Sequence, residues 1–168
     1  MSAQLQEVQK LLKILKVDLR GAAIRFSDNY EPDSIDDLSL DIQSFQGCAR
    51  VSESEIESEN KDELYEYQFY YSAGVRLVTH DHNSDQENTL PVEEEDDIEL
   101  PIHIVTEIKA TFTAKYLSSQ QLTKEQIKVF SKNNVGYHVW PYWREFVQSS
   151  CIRLGMPPIS IPMYSVKN

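Results

Sequence analysis

The stretch from Phe130 to Tyr164, FSKNNVGYHVWPYWREFVQSSCIRLGMPPISIPMY, limits the fold more than any other part of the chain. It holds both tryptophans, Trp140 and Trp143, together with proline, glycine and a long helical pattern. Pro141 suits the first turn of a helix, where its missing N–H costs nothing, and Gly155 suits the left-handed position just past the last turn. The two marks bracket a helix of about four turns. At about 100° per residue, Val139, Trp140, Trp143, Phe146, Val147, Cys151 and Leu154 fall in one arc, with Arg144, Glu145, Gln148, Ser149 and Arg153 outside it. A face this aromatic must be covered by a sheet, another helix or a second subunit. Beyond the helix, Pro157, Pro158 and Pro162 exclude both helix and central strand, which predicts an extended apolar tail from Met156 to Tyr164.

Upstream of this stretch the period changes from helical to alternating. Leu5, Val8, Leu11 and Leu12 keep helical spacing over a short N-terminal segment. Leu15, Val17 and Leu19 then alternate with charged residues, and Gly21-Ala22 marks a bulge before Ile24 to Phe26. Asn29 to Asp37 reads as a loop around Pro32. A second strand runs from Leu38, Leu40 and Ile42 through Val51, followed by a polar connector from Ser52 to Glu63. The third strand, Leu64 to Thr79, carries Tyr65, Tyr67, Phe69 and Tyr71 on one face, with a register change expected at Gly74. From His80 to Leu100 the chain is acidic and polar, contains no Lys or Arg, and is expected to be a solvated, disordered loop over 81–100. Ile102, Ile104, Thr106, Ile108, Ala110 and Phe112 share one face of a fourth strand, opposite Glu107 and Lys109. Thr123 is placed to cap a short helix through Val129. The pattern predicts an α+β chain, 1–168 as a single domain: a four-stranded antiparallel sheet followed by a long amphipathic helix and a Pro-rich extended C-terminal segment.

The 168 residues suit one core, and the formal net charge of -11 argues against nucleic acid and anionic membranes, because there is no basic stripe to release counterions. Cys48 and Cys151 are too few for a disulfide framework. Lys13 and Lys16 interrupt the apolar N-terminal residues before a signal peptide can build, and no run approaches the roughly 18 apolar residues of a membrane span. The expected location is cytoplasmic. Chemistry is sparse. His80-Asp81-His82 with Asp85 offers no third ligand at a fixed position and reads as loop rather than metal site. There is no phosphate-binding glycine loop and no nucleophile elbow, and His103 and His138 are isolated. No catalytic residue, metal or cofactor is assigned.

The helix opening Trp140-Pro141-Tyr142-Trp143-Arg144-Glu145 resembles the SecB-type protein-export chaperones, whose long helix begins aromatic-Pro-Tyr-x-Arg-Glu. The family's helix also ends in Gly before a Pro-containing apolar stretch, as from Gly155 to Ile161, and Glu107 matches a carboxylate in its fourth strand. The resemblance implies the SecB-like fold and an ATP-independent holdase that keeps unfolded polypeptide clients from aggregating, without catalysis. It implies dimers of dimers in which sheets pair and long helices lie between them, so Trp140, Trp143, Phe146 and Val147 are expected at an oligomer interface. The family's principal groove lies beside the crossover after the first strand and the segment after the long helix. That implies client binding by Leu38, Leu40, Ile42, Met156, Ile159, Ile161, Met163 and Tyr164, although Ile159 and Ile161 can equally point inward and plug the core. Export members continue into a second helix that supports contact with a translocation ATPase, whereas this sequence stops at Asn168. A relative that guards an antitoxin, or a dedicated adaptor for one partner, is the alternative.

Overall fold

The structure is a computed structural model, and it describes residues 3–28, 30, 33, 35, 38–57, 63–80 and 102–165. The acidic segment 81–100, with His82 and Asp85, lies outside the described residues. In chain order the elements are α1 (Ala3–Leu11), β1 (Lys13–Phe26), β2 (Leu40–Glu57), β3 (Glu63–His80), β4 (Ile102–Ser118), α2 (Lys124–Asn133) and α3 (Val135–Arg153). The four strands form one antiparallel sheet in the order β1-β4-β3-β2. Because β1 and β2 are consecutive in the chain yet sit at opposite edges, the segment between them must cross from one side of the sheet to the other. Ile35, within that crossing, is buried in the core.

One face of the sheet is covered by the helices. On β3 every odd-numbered residue from Tyr67 to Thr79 is buried, and on β4 the even-numbered residues from Thr106 to Ser118 are buried opposite them. Phe69, Tyr116 and Phe130 meet at ring-centroid distances of 5.0–5.5 Å, two of the three contacts edge-on, which favours the ring quadrupoles. The Tyr67 hydroxyl that enters this layer is satisfied: the Leu122 backbone N–H donates to it at 2.8 Å. Leu5 and Val8 on the inner side of α1, and Leu12 just past its end, are buried, and α1 is tied to the head of α3 by Gln9 Nε2 donating to Asn134 Oδ1 at 2.7 Å.

Helix ends follow local chemistry. Thr123 caps α2 in a complete capping box with Gln126, and the helix runs on to Asn133, beyond the expected Val129. Gly155 has φ 68°, Gly155 N–H donates to Ile152 O at 3.2 Å, and Met156 N–H donates to Cys151 O at 3.1 Å. These two bonds are the Schellman arrangement, and they turn the chain into the extended tail.

Four expectations need correction. The long helix begins at Val135, so Pro141 lies inside it. The carbonyl that Pro141 leaves without a donor is that of Tyr137, a residue 64 % exposed, on the side where water can take its place. The polar connector is shorter than expected, since β2 continues through Ser52 to Glu57 paired with the start of β3. An edge strand needs hydrogen bonds on one side only, and its exposed side chains can be Ser and Glu at no burial cost. Gly74 causes no change of face on β3: it is small because the Phe45 ring of β2 lies on it, and an added Cβ would clash with that ring. The register change occurs instead between Leu77 and Val78, where Leu77 pairs with Thr106 and Val78 with Ile104, leaving Val105 as the extra residue. That bulge puts Ile102 and Ile104 on the opposite face from Thr106 and Ile108, and both are exposed.

Candidate functional site

The four residues expected at an oligomer interface belong to the chain's own core. Trp143 and Val147 are fully buried, Trp140 is buried, and Phe146 is half-buried edge-on to Phe112 at 6.5 Å. The sheet of the same chain covers this arc, so the width of the arc is no argument for a second subunit. What α3 leaves outward is a different stripe, with Tyr137 and Ile152, the latter 74 % exposed. Hydrophobic periodicity could not find it, because Tyr137, Pro141, Gln148 and Ile152 lie among polar neighbours.

The residues expected to bind clients divide in two. Met156, Ile159 and Ile161 are buried, each 4–7 % exposed, so the tail plugs the core at these positions. Leu38, Leu40 and Tyr164 are half-buried against the core, while Ile42 is 55 % and Met163 75 % exposed. Three contacts fix the end of the tail. Trp140 Nε1 donates to Pro162 O at 2.7 Å, the Trp140 and Tyr164 rings lie 5.4 Å apart, and Tyr164 shares a hydroxyl hydrogen bond with Tyr71 of β3. Gly136 makes room for that junction, since a Cβ there would stand 2.5 Å from both hydroxyls. Burial and then the neighbouring Tyr164 push the Tyr71 phenol far above the usual range, so both hydroxyls stay protonated and act as hydrogen-bond partners only.

Between the first half of α3 and the end of the tail lies a cleft of about 570 Å³, lined by Tyr137, His138, Trp140, Pro141, Arg144, Glu145, Gln148, Met163 and Tyr164. Its walls are mainly apolar, and it joins Met163 and Tyr164 to helix residues that the sequence did not mark as client-binding. His138 Nδ1 is 2.9 Å from the Tyr116 hydroxyl, and burial lowers the imidazole's pKa, which holds the ring neutral. Arg144 and Glu145 form no ion pair with each other. Arg144 Nη1 donates instead to Met163 Sδ at 2.9 Å. Among the described residues no cluster of three or more His, Cys, Asp or Glu is placed to hold a metal ion. No helix among them is long and apolar enough to cross a membrane.

A second open region is the helix side of the sheet beyond the helices' reach. Leu19 pairs with Phe112 and Ile24 with Ile108, so both point to the covered face, yet they are 50 % and 38 % exposed because β1 is the edge strand. Ile42, paired with Leu77, is in the same position on the opposite edge. Two uncovered apolar margins thus flank one covered centre.

No family model and no curated protein sequence matches the chain. Among solved structures it is similar to the Mycobacterium tuberculosis SecB-like chaperone Rv1957, solved in complex with a ChAD peptide from the HigA1 antitoxin (Rv1956). The likeness has a TM-score of 0.60 at 13 % sequence identity and covers 98 % of each chain. The four-stranded antiparallel sheet, the long C-terminal helix and the extended tail are, over nearly their whole length, the fold of a SecB-like chaperone.

Proposed function

We propose that the protein is an ATP-independent chaperone that holds extended, non-native polypeptides, without a cofactor and without catalysing a reaction. The observation that carries this reading is the pair of apolar margins, Leu19 with Ile24 on β1 and Ile42 beside half-buried Leu40 on β2, together with the exposed Met163 of the tail. Apolar side chains left open on edge strands offer a client backbone pairing and shape-tolerant contact together, and an unbranched methionine adapts to clients of no fixed sequence. The fold likeness to a SecB-like chaperone supports it. On this reading the chain works in the cytoplasm as a homo-oligomer, a dimer or tetramer, assembled through surfaces other than Trp143 and its neighbours, which lie in the chain's own core.

A second reading, a dedicated chaperone or adaptor that guards one antitoxin, is favoured by the antitoxin peptide in the complex of the structurally similar protein. Delivery of clients to a translocation ATPase is the export variant of the first reading. Light scattering from a reduced, unfolding client, measured without nucleotide, tests the main proposal. Wild type should suppress the signal near stoichiometric ratios, and Ile42→Asp combined with Met163→Asp should lose most of that effect while its thermal melt is retained. A wild type that leaves aggregation unchanged would overturn the holdase. If it still bound a single antitoxin segment tightly, the dedicated reading would stand.

A further inference from the structure

The cleft between α3 and the tail is lined by a cation, Arg144, that makes no ion pair among the described residues. The Arg144 Nε is buried with no hydrogen-bond partner. The one contact its guanidinium makes among the described residues, Nη1 to the Met163 thioether, is to a weak, uncharged acceptor. With Nε sealed off, it is the outer Nη side of the guanidinium that is open to a ligand, and a carboxylate arriving there can accept two parallel N–H bonds from the planar fork. Glu145, exposed and lining the same cleft, makes no ion pair with Arg144. The surrounding Tyr137, Trp140, Pro141 and Tyr164 supply apolar walls, and about 570 Å³ falls in the range of pockets that enclose a ligand, roughly 300–1,000 Å³.

We infer that this cleft is the sequence-selective part of the client surface, and that it takes an extended peptide segment in which an internal Asp or Glu stands next to a large apolar or aromatic residue. The carboxylate binds Arg144 and the apolar neighbour lies against Trp140 and Tyr164. The inference rests on the proposed client-holding function and adds a preference to it. It runs against the overall charge of -11, which repels acidic segments at a distance. The preference is therefore local, set by one desolvated contact rather than by steering.

Two acetylated and amidated decapeptides that differ only in Asp or Asn beside a central Trp test it, by calorimetric titration at about 0.15 M salt, where charges beyond about 8 Å are screened. The acidic peptide should bind about tenfold more tightly or better, the range of one charge-assisted hydrogen bond to a desolvated partner. Arg144→Met should bring the acidic peptide down to the affinity of the amide peptide, and Arg144→Lys should restore part of the difference, with melting curves confirming that both variants fold. Equal affinities for the two peptides in wild type would overturn the carboxylate preference while leaving the client-holding function intact. Binding of neither peptide would overturn both. A tenfold preference that survives Arg144→Met would place the acidic contact elsewhere and so sink the assignment to this cleft.

Discussion

The centre of the sheet and its two edges carry the same alternating apolar pattern but meet opposite fates. On β3 and β4, Phe69, Val75, Ile108 and Tyr116 are sealed beneath α2 and α3. On β1 and β2, Leu19, Ile24 and Ile42 face the same side and remain open. The helical layer closes over the two central strands and leaves these positions on the two edge strands open. Alternation in a sequence tells which side of a strand faces a core. It does not tell whether anything lies there. In this molecule the core is the covered centre, and the margins of the same face stay open.

Substitutions should separate the two regions, beginning with the centre. Trp143 is fully buried, and Trp143→Ala should cost about 3–5 kcal/mol from lost transfer energy and the cavity left behind. The measure is the urea midpoint. A loss below about 1 kcal/mol would mean that the centre is loosely packed and the contrast with the margins unreal.

Gly136→Ala probes the point where helix, tail and sheet meet. Alanine gains about 1 kcal/mol of helix propensity over glycine, but its Cβ would strike the hydroxyls of Tyr71 and Tyr164. Because Tyr71 is anchored in the buried layer, the tail must give way, and a net loss of about 1–2 kcal/mol is expected. Exposure of the Trp140 indole to a soluble quencher should rise with it. A stabilised variant with unchanged quenching would show that the tail is not held by this junction.

His138 supplies a pH test of the covered region. Its folded-state pKa is lowered by burial, so between that value and the unfolded value of about 6.5 the unfolded chain binds more protons. The stability held by the neutral ring is complete above the unfolded pKa and is lost as pH falls through the folded one. Wild type should therefore lose more stability between pH 7 and pH 5 than His138→Gln, in which carboxylates titrate as before but this site does not. Parallel melting-temperature profiles for the two proteins would show that His138 is solvated.

How far the sequence disclosed the fold depends on how local each signal was. Thr123 with Gln126, and Gly155 before Pro157, are decided within a few residues, and both ends were legible. Pro141 was misleading because a proline at the first turn and one farther in read alike. The deciding fact, that Tyr137 faces water, is tertiary. Ser52 to Glu57 looked like a connector because polarity marks exposure, and an edge strand is exposed. The candidate site was half legible. Met163, Tyr164 and Ile42 were named from the likeness to the chaperone family, but the part of α3 that completes the cleft was hidden, since Arg144 falls outside the apolar arc and nothing in its spacing shows that its guanidinium meets Met163.

The smallest effect should come from the margins, and there a small effect is the informative result. Leu19→Ser and Ile42→Ser remove side chains that are half exposed on edge strands, so each should change the stability of the isolated chain by no more than about 0.5 kcal/mol. Measured at two protein concentrations a hundredfold apart, the variants also report who covers the margin. If the loss stays small at both, Leu19 and Ile42 are free for clients. If Leu19→Ser costs about 2 kcal/mol or more at the high concentration and little at the low one, mass action assigns the β1 margin to a second copy of the chain. The client surface then contracts to the β2 margin and the cleft beside Met163. If both variants lose that much at both concentrations, a covering layer exists within the chain itself, and the contrast between centre and edge fails.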